Sequence, residues 1–158
     1  MTVLTTHIEN GGGYQIPDTI IVHAMGEYIG TRHAVAFLAS EGLSAHSLID
    51  PHGSNYRCRE DDEIAWHAKD FNTNSLGIEF LVEGDHNLAS LKKTMKTDYV
   101  TEIQYQTGLN QIKEWLELWP IKTIKRHSDV SPKRKVDPGD GFPWERLLDD
   151  LGMENGLG

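Results

Sequence analysis

One stretch constrains the fold more than any other: Leu76-Gly77-Ile78-Glu79-Phe80-Leu81-Val82. It has the length of a strand, follows the polar loop Asn72-Thr73-Asn74-Ser75, and is almost wholly apolar, as a strand covered on both faces is. Glu79 is the exception. A carboxylate in that setting costs free energy unless it is paired, hydrogen-bonded or turned to a polar cavity. Thr19-Ile20-Ile21-Val22-His23-Ala24-Met25 is a second run of the same kind, β-branched, with His23 at its C-terminal end. The spacing predicts helices over residues 31–41, from Asp98 to about Trp119, and a Pro-initiated one over 143–151. The long helix would bury Ile103, Leu109, Ile112, Leu116 and Trp119. Leu43–Asp50 and Asn55–Arg59 read as a hairpin around Pro51-His52-Gly53-Ser54. Residues 61–68 read as a helical turn and loop, and 83–97 as surface loop. Strands, helices and a hairpin mixed along one chain give an α/β fold: a single domain with a mixed central β-sheet flanked by α-helices. Residues 1–18 are an N-terminal arm or edge strand ended by Gly11-Gly12-Gly13, 19–151 the domain proper, and 152–158 a flexible tail.

At 158 residues the chain suits one domain with a sizeable core. Its 24 acidic residues against 15 basic ones leave a formal charge of −9, which argues against a nucleic-acid partner. No apolar run is long enough to span a bilayer, so no membrane insertion is expected. The N-terminus lacks the basic and apolar regions of a signal peptide, which implies cytoplasmic synthesis. Cys58 is the only cysteine; a zinc site must be built from histidine and carboxylate.

The strand Ile121–Lys125 runs into Arg126-His127-Ser128-Asp129, and Lys135-Val136-Asp137-Pro138-Gly139 follows. His127 sits where strand becomes loop. Lys135 and Asp137, two apart in extended chain, face one way. None of the eight histidines stands in a His-Glu-x-x-His helix, so the helical zinc-protease signature is absent. His23, His127 and Asp137 would supply two neutral imidazoles and one carboxylate, leaving a fourth position open. Asp140 is the rival third ligand, beyond the Pro-Gly turn. Metal-assisted attack of water on an amide needs a base and a cation or donor for the oxyanion. Glu79 is the candidate base and Lys135 the candidate cation.

Ile20–His23, Ser44–Asp50, Ala65–Ala68, Asn74–Phe80, Arg126–Asp129 and Lys135–Gly139, in that order, resemble the type-2 N-acetylmuramoyl-L-alanine amidase family. That family includes phage lysins, muropeptide amidases and peptidoglycan recognition proteins. The resemblance implies their fold, a Zn2+ ion on His23, His127 and Asp137, an acid/base carboxylate at Glu79, and an assisting Lys135. It also brings His46 and His67 near the site as substrate-binding candidates. Ala45 stands where many relatives carry a catalytic Tyr, and Asp137 where some carry Cys, which points to the muropeptide-amidase branch. The implied activity is hydrolysis of the bond between N-acetylmuramic acid and L-alanine in peptidoglycan or muropeptides, by a monomer. A phage-type lysin acting on the cell wall is the first expectation. A cytosolic anhydro-muropeptide recycling amidase is the alternative. A non-catalytic peptidoglycan-binding module and a zinc peptidase cutting the stem peptide are the rivals from other classes.

Overall fold

In the computed structural model, which describes residues 2–27 and 31–154, the chain runs β1 (Thr2–Thr5), β2 (Gly11–Tyr14), β3 (Thr19–Gly26), α1 (Thr31–Ser40), β4 (Ser47–Ile49), β5 (Ser54–Arg57), β6 (Glu63–Ala65), β7 (Ser75–Val82), α2 (Leu88–Thr94), α3 (Glu102–Leu118), β8 (Thr123–Arg126), α4 (His127–Val130) and α5 (Trp144–Leu151). Six strands form one mixed sheet in the order β1-β5-β4-β7-β3-β8, and β2 pairs with β6 separately. Only the hairpin pair β4–β5 is antiparallel in the large sheet. Every residue of β7 is buried, as are all of β3 beyond Thr19. Both apolar runs are central strands.

Strand alternation divides these two runs between two layers. Ile20 and Val22 of β3, with Leu76, Ile78 and Phe80 of β7, pack against Tyr105, Leu109, Ile112 and Trp115 of α3 and Leu147 and Leu148 of α5. Met25 and Leu81 belong to a second cluster, with Ala34 and Leu38 of α1. Parallel register sets His23 directly opposite Glu79.

Several elements differ from the sequence reading. Gly11–Gly13 is not a terminator but strand β2, and residues 63–65 are its partner strand. Both are too short for alternation to register. Residues 83–97 contain α2, a seven-residue helix with no fully buried residue, too short for Leu88 and Leu91 to establish a period. Its signal is the Asn87 cap, whose side chain accepts from the Ser90 N–H. Asp98 does not cap α3. Thr101 does, in a reciprocal box with Gln104, the arrangement that a Thr-x-x-Gln spacing announces. Ile103 is 56% exposed, while Tyr105 completes the buried stripe. The tail is described only to Glu154; residues 155–158 lie outside the described residues. No described helix is long and apolar enough to cross a membrane.

Helix α3 approaches the sheet closely at Gly108, where a Cβ would lie 2.4 Å from Phe80 Cζ. Gly108→Ala would gain about 1 kcal/mol of helix propensity but overpack a buried ring at a cost of roughly 1–3 kcal/mol. The variant should therefore unfold at lower urea concentration than the wild type. A raised midpoint would show that the ring moves aside freely.

Candidate metal centre

The sheet register assembles the site. Strand β8 pairs with β3 so that Val22 faces Arg126; the next residue, His127, continues the row beside His23. Glu79, His23 and His127 thus lie side by side across β7, β3 and the end of β8. The loop after α4 then folds back. The Ser128 N–H donates to the Asp137 carbonyl at 3.0 Å, and the Ala24 N–H donates to Asp137 Oδ2 at 3.2 Å. These contacts carry the Asp137 carboxylate to the histidines.

His23 Nδ1 lies 3.0 Å from His127 Nδ1 and 3.5 Å from Asp137 Oδ2. His127 Nδ1 lies 3.2 Å from Asp137 Oδ2. All three residues are buried and their donor atoms lie within 4.8 Å of one another. A tetrahedral zinc with bonds of about 2.0–2.1 Å has ligand-to-ligand edges of roughly 3.3 Å, so the spacing fits that ion. The chemistry also fits. Two imidazoles and one carboxylate are borderline donors that zinc accepts, and they leave one position open. Asp140 is exposed and outside the cluster.

Glu79 Oε1 lies 3.6 Å from His23 Nδ1, and its other oxygen is buried with no partner among the described residues. Burial pushes this carboxyl well above the usual range, the Asp137 charge adds to the rise, and Lys135 opposes it. Burial also lowers the basicity of His23, against the pull of Asp137, and of His67, where the other histidines act in the same direction. For Asp137 burial acts upward, but the imidazoles of His127 and His23 reverse it and hold the acid well below the usual carboxylate range.

The site opens on a cleft of about 460 Å³. Lys135, Arg134 and Lys92 line it, and Phe37, Leu43 and Trp66 give it apolar wall. Leu88 and Leu91 of α2 contribute as well, a wall missed because α2 read as loop. Tyr99 was missed too: its hydroxyl donates to the Pro138 carbonyl at 2.6 Å, holding the residue after Asp137.

The two remaining histidines differ. His67 lines the cleft, with Nδ1 2.8 Å from His23 Nε2 and Nε2 3.0 Å from Ser75 Oγ. Its ring occupies the space above Gly77: a Cβ there would lie 2.6 Å from His67 Cγ. His46 is fully buried and both its ring nitrogens engage backbone, Nδ1 accepting from Gly77 N–H at 3.0 Å and Nε2 donating to the Glu63 carbonyl at 2.8 Å. It braces β6 against β7 beneath the cleft, and neither nitrogen is free for a substrate.

The family model described as N-acetylmuramoyl-L-alanine amidase matches residues 13–140. The chain is 32% identical over 122 residues to 1,6-anhydro-N-acetylmuramyl-L-alanine amidase AmpD of Escherichia coli (strain K12), covering 71% of this chain and 60% of that protein. It is 25% identical over 161 residues to N-acetylmuramoyl-L-alanine amidase AmiD of the same organism, covering 91% and 56%. The chain thus spans little more than half the length of these curated relatives. Among solved structures, N-acetylmuramoyl-L-alanine amidase LysC from Clostridium intestinale URNW superposes with a TM-score of 0.77 at 21% identity, over 98% of this chain and 99% of that one. That likeness is one of fold.

The bracing role of His46 has a pH signature. Burial lowers its pKa from 6.5 to about 4, partly offset by the bond to Glu63 and reinforced by Arg57. The folded value is depressed, so the stabilisation is full above pH 6.5 and is lost as pH falls towards 4. At pH 5 the loss is on the order of 2 kcal/mol. Urea unfolding at pH 7.5 and pH 5 should show this drop, and His46→Gln should show a drop smaller by about that amount. An equal drop in both proteins would assign the acid sensitivity elsewhere.

Proposed function

This chain is a member of the N-acetylmuramoyl-L-alanine amidase family, and on that premise we propose that it is a zinc-dependent hydrolase of the amide between N-acetylmuramic acid and L-alanine. The observation that carries the reading is the row of Glu79 on β7, His23 on β3 and His127 just past the end of β8, with Asp137 brought to its end. His23, His127 and Asp137 would hold the ion, leaving it a formal charge of +1. When bound, zinc supplies a Lewis acid and makes water acidic enough to act as a nucleophile near neutral pH.

The remaining steps belong to this chain's own groups. Glu79 takes a proton from the attacking water and delivers it to the leaving amine. The upward push on its carboxyl from burial and Asp137 suits a group that must both accept and return a proton. Lys135, on the cleft wall, holds the negative charge that develops on the carbonyl oxygen. Phe37, Leu43 and Trp66 offer apolar surface to the sugar and peptide.

The more similar curated relatives carry the name of anhydro-muropeptide amidases. Soluble anhydro-muropeptide therefore takes precedence here over intact wall, and the lysin setting expected first from the sequence becomes the second reading. Relative rates on purified sacculi and on soluble anhydro-muropeptide measure that order directly.

Two substitutions separate holding the metal from moving the proton. Glu79→Gln keeps size but cannot take a proton, so zinc content should stay near wild type while turnover falls about 10²–10⁴-fold. Asp137→Asn trades an anionic ligand for a weaker neutral one, so it should lose zinc and recover part of its rate when zinc is added in excess. Added zinc should not rescue Glu79→Gln. Loss of zinc in Glu79→Gln, or nearly full turnover, would contradict the assigned roles.

A further inference from the structure

We propose that His67 is a positioning residue for His23, fixing which ring nitrogen of that histidine presents its lone pair to the metal centre. The consequence for metal binding rests on the zinc reading above. The hydrogen-bond argument does not.

The argument begins at Ser75, whose hydroxyl has one proton to give. Its Oγ lies 2.7 Å from the Phe71 carbonyl oxygen and 3.1 Å from that of Asn72. Carbonyls only accept, so the proton goes to them. The third neighbour of Oγ, His67 Nε2 at 3.0 Å, must then be a donor. A neutral imidazole protonated at Nε2 has a bare Nδ1, and His67 Nδ1 accepts at 2.8 Å from His23 Nε2. His23 therefore carries its proton on Nε2. Its bare Nδ1 is the atom that faces His127 Nδ1 and Asp137. The two carbonyls at the far end of the chain thus set the tautomer at the near end.

A second observation shows that His67 is seated for this task. Its ring lies flush against β7 at Gly77, where a Cβ would come within 2.6 Å of both Cγ and Nδ1 of His67. Its backbone N–H is tied to Asn72 Oδ1 at 2.9 Å. Any side chain at 77 would force the ring out of this seat. Metal-bound histidines usually donate their second nitrogen to a carboxylate, a carbonyl or water. Here the acceptor is a neutral imidazole, which orients His23 without adding a third negative group beside Asp137 and Glu79.

Two measurements test the relay, one without metal. Long-range proton–nitrogen NMR spectra of metal-free protein carrying 15N-labelled histidine report the tautomer of each ring. His23 and His67 should both appear protonated at Nε2; His23 protonated at Nδ1 would overturn the proposal. Zinc affinity, read by competition with a chelator of known strength, should fall about 10–100-fold in His67→Ala and in Gly77→Ala. His67→Asn, whose side-chain oxygen can stand where Nδ1 accepts, should recover most of it. Wild-type affinity in His67→Ala would also overturn the proposal. A wild-type protein that binds no zinc would remove the zinc reading instead, and the tautomer spectra would still decide the relay.

Discussion

The parallel pairing of β3 with β7 and β8 is the constraint on which the site depends. It sets His23 opposite Glu79 and continues the row to His127, so two strand pairings align three chemically active groups. A one-residue slip of β7 would turn Glu79 into the layer packed under α3 and α5 and carry Phe80 into the cleft. That slip is resisted because Leu76, Ile78 and Phe80 fill the core on the opposite face. Ordinary apolar packing thus supplies the precision that the site requires.

Holding charged and polar groups in such a place calls for compensation, and it is local. Asp137 is met by two imidazoles and by the Ala24 N–H. His46, beneath the cleft, has both nitrogens matched to backbone groups. Two atoms of the row are not matched among the described residues: one Glu79 oxygen and His127 Nε2, both buried. A buried polar atom without a protein partner is costly to stability, and both of these fall at the site.

Much of this was legible in the sequence because the site sits on the elements that sequence reads best. The two long apolar strands declared themselves by composition, and Glu79 stood out against its neighbours. His23, His127 and Asp137 were found from strand ends and the Lys-x-Asp spacing, and the resemblance fixed their grouping. What stayed hidden was built by tertiary contact. Strands β2 and β6 have three or four residues each, too few for a period to show. Helix α2 has seven residues and fully buries none of them, so Leu88 and Leu91 gave too short a stripe to show a period. The space above Gly77 is filled by the ring of His67, brought in from ten residues upstream by a loop whose path no local pattern encodes. The Thr101 cap was readable, and Asp98 was the less specific signal because it lacks a Gln or Glu three residues on.

The central claim is that His23, His127 and Asp137 bind one zinc ion through Nδ1 of both histidines. Anomalous diffraction measured on either side of the zinc absorption edge, from crystals grown with one equivalent of the metal, tests it most directly. The account predicts one strong peak bounded by His23 Nδ1, His127 Nδ1 and the Asp137 carboxylate, with His67 outside bonding distance. A protein without that peak, or a peak bound by His67 in place of one of the three, would contradict it.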